Sequence, residues 1–134
     1  MTATPMVCPA LGYRDAKAAI DQLTTAFGFI RSAVHEDEDG TVVHAELTHG
    51  NGMLLLYTKG LGGAFREALT DAGPAGVYVL VEDTDAHCER ARQAGAEILM
   101  EPTDQDYGSR QYTARDVEGN VWSFGTYRPG TASA

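Results

Sequence analysis

The feature that most constrains the fold is an order of structural elements that occurs twice along the chain. An amphipathic helix follows Asp15 and ends at Gly28, because apolar residues recur there at spacings of three and four. A second helix is predicted between Asp83 and Gly95. The two capping aspartates lie 68 residues apart (83 − 15) and the two closing glycines lie 67 apart (95 − 28). This shared spacing predicts two copies of one structural module.

The strands predicted around these helices give each module the order β-α-β-β-β. Alternation and turn residues place the strands near 7–12, 29–35, 41–48 and 53–57, and again near 77–81, 97–101, 111–115 and 121–127. Module one is expected over 6–57, a glycine-rich linker over 58–75 and module two over 76–127, in a single domain of residues 1–134. The predicted fold class is α+β, with the two modules forming a curved mixed sheet around a central cleft and the helices outside.

Composition limits the classes of binding partner and the cellular compartment that we expect for this chain. The chain has 134 residues, 43% of them hydrophobic, which is sufficient for one core. Its apolar stretches are too short to cross a bilayer and no leader is recognised at the N-terminus, so a cytoplasmic protein is expected. The formal net charge of −9 disfavours nucleic acid and membrane surfaces as partners. Cys8 and Cys88 have no redox or zinc spacing and are expected to be buried thiols.

Strand alternation predicts which side chains enter the cleft. In the third strand Val43, Ala45 and Leu47 are expected to face a helix, which sends His44 and Glu46 to the opposite side. The same reasoning predicts Trp122 and Phe124 in the core. The predicted ligand-binding residues are mainly aromatic and aliphatic with a few charges, and all come from strand alternation except Tyr107, which is expected on a loop at the rim: His44, Glu46, Leu55, Tyr57, Tyr78, Tyr107, Arg110, Tyr112 and Ser123.

Three segments resemble the vicinal-oxygen-chelate superfamily, which includes glyoxalase I, extradiol dioxygenases and bleomycin-binding proteins. They are Tyr13-Arg14-Asp15 before a helix that ends Ala26-Phe27-Gly28-Phe29, Val81-Glu82-Asp83-Thr84-Asp85-Ala86 before Gln93-Ala94-Gly95-Ala96-Glu97-Ile98, and the hairpin from Asp116 to Phe124. The resemblance covers roughly Met6 to Tyr127. It implies the duplicated fold, a small-molecule cleft and a homodimer.

The resemblance also implies where metal ligands would stand. Metal-dependent members place His or Glu at four positions, which correspond here to Cys8, Leu55, Gly76 and Ser123. A divalent ion needs about three to four donor atoms, and three of these four residues are poor ligands or none. The expectation is therefore a site without a metal and without another cofactor.

Three classes of function stay open on this basis. The first is a metal-free protein that binds an aromatic or cationic small molecule, as in drug sequestration by bleomycin-resistance proteins, which requires no catalysis. The second is a metal-dependent lyase, isomerase or dioxygenase of the glyoxalase type with ligands relocated to His44 and Glu46. The third is a ligand-responsive or scaffolding partner of another protein. No nucleophile elbow or phosphate loop is present, so covalent and phosphoryl-transfer chemistry are not expected.

Overall fold

The computed structural model describes residues 4–130 and contains the predicted order of elements twice. The first half is β1 (Ala10–Tyr13), α1 (Ala16–Thr25), β2 (Ile30–Glu36), β3 (Val42–His49) and β4 (Gly52–Thr58). A five-residue helix, α2 (Ala64–Ala68), follows in the predicted linker. The second half is β5 (Gly76–Leu80), α3 (Thr84–Gln93), β6 (Glu97–Asp104), β7 (Arg110–Arg115) and β8 (Val121–Gly125). The predicted α+β class with two βαβββ modules is confirmed.

Each half forms a four-stranded mixed sheet with the same strand order. The orders are β1-β4-β3-β2 and β5-β8-β7-β6. In both halves the first strand pairs in parallel with the last, and the remaining pairs are antiparallel. The chain divides into two compact units, of which the first ends at Gly73 and the second begins at Pro74. The arrangement of both sheets around one cleft, and the single domain, stay predictions.

The duplication extends to individual pairs of residues. Ala10 lies opposite Leu55 in the first unit, and Tyr78 lies opposite Ser123 in the second. Both members are displaced by 68 residues (78 − 10 and 123 − 55). Gly12 opposite Tyr57 corresponds in the same way to Leu80 opposite Gly125. At this register each unit therefore has one glycine, but on different strands.

The helices pack on one side of each sheet, as the sequence pattern predicts. Asp15 and Asp83 cap α1 and α3 by accepting hydrogen bonds from the backbone N–H groups of Ala18 and Ala86. The core lies between each sheet and its helix. Burial of each large apolar side chain there stabilises the fold by about 1.5–3 kcal/mol. Core residues include Leu23, Phe27, Leu47 and Leu56 in the first unit and Cys88, Tyr112, Trp122 and Phe124 in the second.

Three local expectations need correction. Val42 rather than Val43 joins Ala45 and Leu47 in the core, because the pairing of β3 with β2 shifts register between the partners of His35 and Glu36 and skips Val43. Strand β1 begins at Ala10, after the exposed Val7. Cys88 is buried as predicted, whereas Cys8 is only half-buried. No helix in the described part of the chain is long and apolar enough to cross a membrane.

Candidate functional site

In the first unit, the sheet face opposite α1 carries four of the predicted site residues. Leu54 and Leu56 of β4 point toward the helix side and are buried, so alternation sends Leu55 and Tyr57 to the opposite face. Glu46 of β3 lies directly across from Leu55. With His44, two residues before Glu46, these side chains share one surface, which we call the first face.

A hydrogen-bonded pair of ionisable side chains lies on the first face. Nε2 of His44 lies 2.9 Å from Oε2 of Glu46, and the side chains are 36% and 33% exposed. The ring of His35 stacks on that of His44 with centroids 6.0 Å apart. Because His44 and Glu46 contact one another, each retains only part of its hydrogen-bonding capacity for a ligand.

Tyr57 forms the aromatic part of the first face. A Cβ atom on Gly12 would lie 2.7 Å from Cε2 and Cζ of Tyr57, so the ring occupies space that only glycine leaves open. The guanidinium carbon of Arg66 lies over this ring, 5.2 Å from its centroid. Nη2 of Arg66 also donates a 2.6 Å hydrogen bond to the carbonyl oxygen of Val43. Arg66 therefore covers the one large aromatic surface of the first face.

The corresponding face of the second unit, which we call the second face, is built around Tyr78 and Ser123. These two residues lie opposite one another on β5 and β8. Gln111 of β7 connects this face to the loop before it: its Nε2 donates to Oγ of Ser123 at 3.4 Å, and its Oε1 accepts from the Tyr107 hydroxyl at 2.7 Å. Tyr107 is 57% exposed, as expected for a residue at the rim of a site.

A second set of hydrogen bonds fixes the Tyr78 hydroxyl. It donates to the carbonyl oxygen of Tyr127 at 2.6 Å, and Oγ of Ser109 accepts from the backbone N–H of Tyr127 at 3.1 Å. Burial raises the pKa of the Tyr78 phenol, although its hydrogen bond with Ser109 acts in the opposite direction. Gly125 makes room for this cluster, because a Cβ there would lie 2.7 Å from Cβ of Gln111. The phenol is therefore a preorganised neutral group.

Strand alternation predicts Arg110 on the ligand-binding face, whereas the structure places it on the helix side of its sheet. Its guanidinium forms a fork with Asp85 of α3, with two contacts of 3.0 Å, and a third contact of 3.0 Å with Asp104. These hydrogen bonds hold the pKa of the Asp85 carboxyl below its usual range. Arg110 therefore holds α3 against the strands and lies on the helix side of the sheet.

Tyr112, which strand alternation also predicts in the site, likewise lies on the helix side of its sheet. Tyr112 is fully buried opposite Phe124, and its hydroxyl lies 2.5 Å from Nδ1 of His87 on α3. Burial raises the pKa of the Tyr112 phenol. The side chains that β7 presents on the second face are instead Gln111 and Thr113, one residue out of phase with the predicted pair.

Sequence reasoning missed two kinds of contributor. Gln111 was detectable, because Trp122 and Phe124 were already predicted in the core and hairpin pairing places their neighbours Ala114 and Tyr112 beside them. Arg66 was not, since it lies in the glycine-rich linker and reaches the first face only through a tertiary contact.

The residues at the four metal-ligand positions do not fit a divalent ion. Leu55 and Gly76 have no donor atom in their side chains, and the Ser123 hydroxyl accepts a hydrogen bond from Gln111. The Cys8 thiol lies 3.8 Å from the carbonyl oxygen of Pro5. Over the described range, 4–130, no group of three or more His, Cys, Asp or Glu side chains is placed to hold a metal ion, and this includes the surroundings of His44 and Glu46.

Comparison with protein families identifies one superfamily over nearly the whole chain. Residues 7–124 match the Glyoxalase/Bleomycin resistance protein/Dioxygenase superfamily. An uncharacterized protein of Mycobacterium bovis is 31% identical over 126 residues, which cover 90% of this chain and 82% of that protein.

Solved structures show the same fold. The crystal structure of TioX from Micromonospora sp. ML1 is 32% identical, with a TM-score of 0.78 over 94% of this chain and 99% of TioX. Lactoylglutathione lyase from Agrobacterium tumefaciens is 20% identical, with a TM-score of 0.66 over 92% of this chain and 95% of the enzyme. At that lower identity the likeness concerns the fold alone.

Proposed function

The chain belongs to the Glyoxalase/Bleomycin resistance protein/Dioxygenase superfamily, and from this premise we propose that it binds a small organic molecule without the help of a metal ion. The single observation that carries the proposal is the chemistry of the four metal-ligand positions. Leu55 and Gly76 have no donor atoms in their side chains, whereas a metal ion that polarises a substrate must be held by about three protein ligands with one position open.

Each face, taken by itself, carries groups that suit a flat aromatic molecule. The first face carries the ring of Tyr57, which is buried with Arg66 over it, and the pair of Glu46 and His44, which is partly accessible. On the second face the Tyr78 cluster offers hydroxyl and amide groups in fixed positions. These groups orient a ligand but include no activated nucleophile, and sequestration of a drug needs only binding.

The charge of the protein favours a neutral or cationic ligand over an anionic one. The formal net charge is −9, and such a field raises the local concentration of cations. We further propose a homodimer in the cytoplasm, as the resemblance to the family and the composition led us to expect.

Metal analysis with a thermal shift series tests the proposal directly. Purified protein is assayed for bound metal and then heated with Ni²⁺, Zn²⁺, Mn²⁺ or Fe²⁺, in parallel with His44→Ala and Glu46→Ala variants. We expect far less than one equivalent of metal and no stabilisation by the ions. One equivalent of metal that is lost in both variants would overturn the proposal in favour of a glyoxalase-type enzyme with relocated ligands.

Ligand screening tests the positive half of the proposal. A panel of aromatic compounds that are cationic, neutral or anionic is tested for stabilisation of the wild-type protein, followed by calorimetric titration of those that stabilise it. We expect saturable one-to-one binding of at least one aromatic class. Absence of binding across the three charge classes would contradict the proposed function.

A further inference from the structure

The contact between Arg66 and Tyr57 places a cation of the protein itself on the aromatic surface of the first face. The guanidinium lies over the ring at 5.2 Å and donates one hydrogen bond, to the carbonyl oxygen of Val43. Among the residues that the structure describes, no carboxylate pairs with Arg66. Arg66 is thus held on the first face by the ring and one carbonyl group rather than by an ion pair.

Two features of the sheet create the position that this cation occupies. Gly12 leaves the space in which the Tyr57 ring lies, and the register shift in β3 at Val43 sets that residue apart from regular pairing, with its carbonyl oxygen bound to Arg66. The carboxylate of Glu46 belongs to the same face. A ring, a carbonyl oxygen and a carboxylate on the same face are groups that recognise an organic cation.

The segment that carries Arg66 is weakly attached to its unit. None of the five residues of α2 is buried, and Phe65 beside Arg66 is 65% exposed. Gly63, the residue before the helix, has a φ of 114° and gives no side-chain cap, and Gly60 has a φ of 92°. Few contacts have to break for α2 to move away from Tyr57.

We propose that Tyr57 is the residue that recognises a cationic group of the ligand, and that Arg66 occupies this position in the free protein until the ligand displaces it. The inference rests on the proposed function and specifies its ligand class. A delocalised aromatic cation competes best, because it is weakly hydrated and stacks on the ring, whereas a compact alkylammonium ion must lose tightly bound water.

Titration with two matched dyes tests the inference. Proflavine is a planar cation with intrinsic fluorescence, and acridone is a neutral molecule of similar shape. Wild-type protein is compared with Arg66→Ala and with Arg31→Ala. The second variant removes the same charge from the same unit, but at a residue that pairs with Asp21 at the surface. We expect Arg66→Ala to bind proflavine about 3- to 10-fold more tightly than wild type, because the competing state is gone. Arg31→Ala is expected to match wild type.

Substitution of the ring separates cation recognition from general stacking. Tyr57→Phe keeps the aromatic face and should retain the preference for proflavine, whereas Tyr57→Leu should weaken proflavine binding by about 2- to 30-fold with little effect on acridone. Hydrogen exchange of residues 60–72 provides a second measurement, since displacement of Arg66 should speed exchange there when proflavine binds to wild type.

The outcomes distinguish this inference from the proposed function. Equal affinity for both dyes in wild type and Arg66→Ala would overturn the role of Arg66 and Tyr57 but leave small-molecule binding intact. Failure of every variant to bind either dye, together with no binding in the aromatic panel, would overturn both. If Arg66→Ala and Arg31→Ala bound proflavine equally more tightly than wild type, the change in net charge would explain the gain in affinity. That result would overturn the proposal that the ligand displaces Arg66.

Discussion

At the scale of single residues, Asp116 organises the hairpin between β7 and β8. Its carboxylate is buried and accepts hydrogen bonds from the backbone N–H groups of Glu118 and Asn120 and from Nε1 of Trp122. The indole of Trp122 is fully buried, so its N–H group depends on a partner within the protein. One side chain thus fixes the turn and satisfies the largest core residue.

Replacement of Asp116 by alanine should therefore be costly. Asp116→Ala leaves the Trp122 N–H and two turn amides without this acceptor, and we expect a loss of about 2–4 kcal/mol in the free energy of unfolding. Urea denaturation followed by Trp122 fluorescence measures it. Val117→Ala in the same turn is the control, since Val117 is half exposed, and its change should stay within about 0.5 kcal/mol. Equal losses in the two variants would contradict the role given to the carboxylate.

Gly125 is a second position where one atom decides the packing. Gly125→Ala would bring a Cβ to 2.7 Å from Cβ of Gln111, which cannot rotate away because it is fixed to the backbone. We expect a loss of about 1–3 kcal/mol in stability and a disturbed Tyr78 cluster. Gly62→Ala, where a Cβ meets nothing within 4 Å, is the matched control in thermal unfolding. A Gly125→Ala protein as stable as the control would show that β7 and β8 can shift to accommodate the added Cβ at little cost in free energy.

At the scale of elements, α3 is attached to its sheet by two exposed ion pairs. Arg110 of β7 binds Asp85 in the first turn of the helix, and Arg92 in its last turn binds Glu101 of β6 at 2.5 Å. Both carboxyl groups have pKa values lowered by the hydrogen bonds from their arginines. The helix is therefore fixed near both ends by contacts that depend on pH.

The Asp85 pair should stabilise the protein only where the carboxyl group is ionised. A pKa lowered by folding gives a contribution that is complete above about pH 4 and is lost as the pH falls through the lower folded-state value. We expect wild type to melt at a higher temperature than Asp85→Asn from pH 7 to 5, with the gap closing below about pH 4. Asp71→Asn, at an exposed position, should show no such gap. A gap that persists undiminished at pH 3 would contradict this assignment.

The helix caps give a further prediction at this scale. Asp15→Ala and Asp83→Ala each remove the acceptor of one N-terminal amide, and each should lower stability by about 0.5–2 kcal/mol. The Asp→Asn variants at both positions should retain most of that stability, because asparagine also caps well. Chemical denaturation of the four variants measures the difference, and equal losses for alanine and asparagine would argue against capping.

The elements also show what the sequence could and could not predict. Both long helices and their caps followed from local spacing, because a helix is decided by contacts three and four residues apart. Which side chains of β7 face the helix could not be predicted in this way. In Arg110-Gln111-Tyr112-Thr113 neither alternating set is clearly apolar, and only the pairing with Phe124 decides that Tyr112 is buried. The face on which His44, Glu46 and Tyr57 lie was predictable, because the alternate residues of their strands are clearly apolar and buried. Arg66 required a contact between distant segments.

At the scale of the whole molecule, the resemblance to the family predicts a homodimer, which the structure of one chain does not display. Val7 and Ile30 are large apolar side chains that are 90% and 66% exposed, and association commonly covers such residues. Sedimentation velocity should give a species of about twice the chain mass of 14.3 kDa. A single species at the chain mass across micromolar concentrations would contradict the homodimer.

The paired register of the two units shows that corresponding positions differ in their chemistry. Gly12 faces Tyr57 in the first unit, while at the corresponding pair in the second unit the glycine, Gly125, stands on the other strand. Two segments with the same strand order thus differ at corresponding positions, one built around a ring and the other around a network of hydroxyl and amide groups. A chain assembled from two copies of the first half would lack the network, and a chain assembled from two copies of the second half would lack the Tyr57 ring and the Arg66 that covers it.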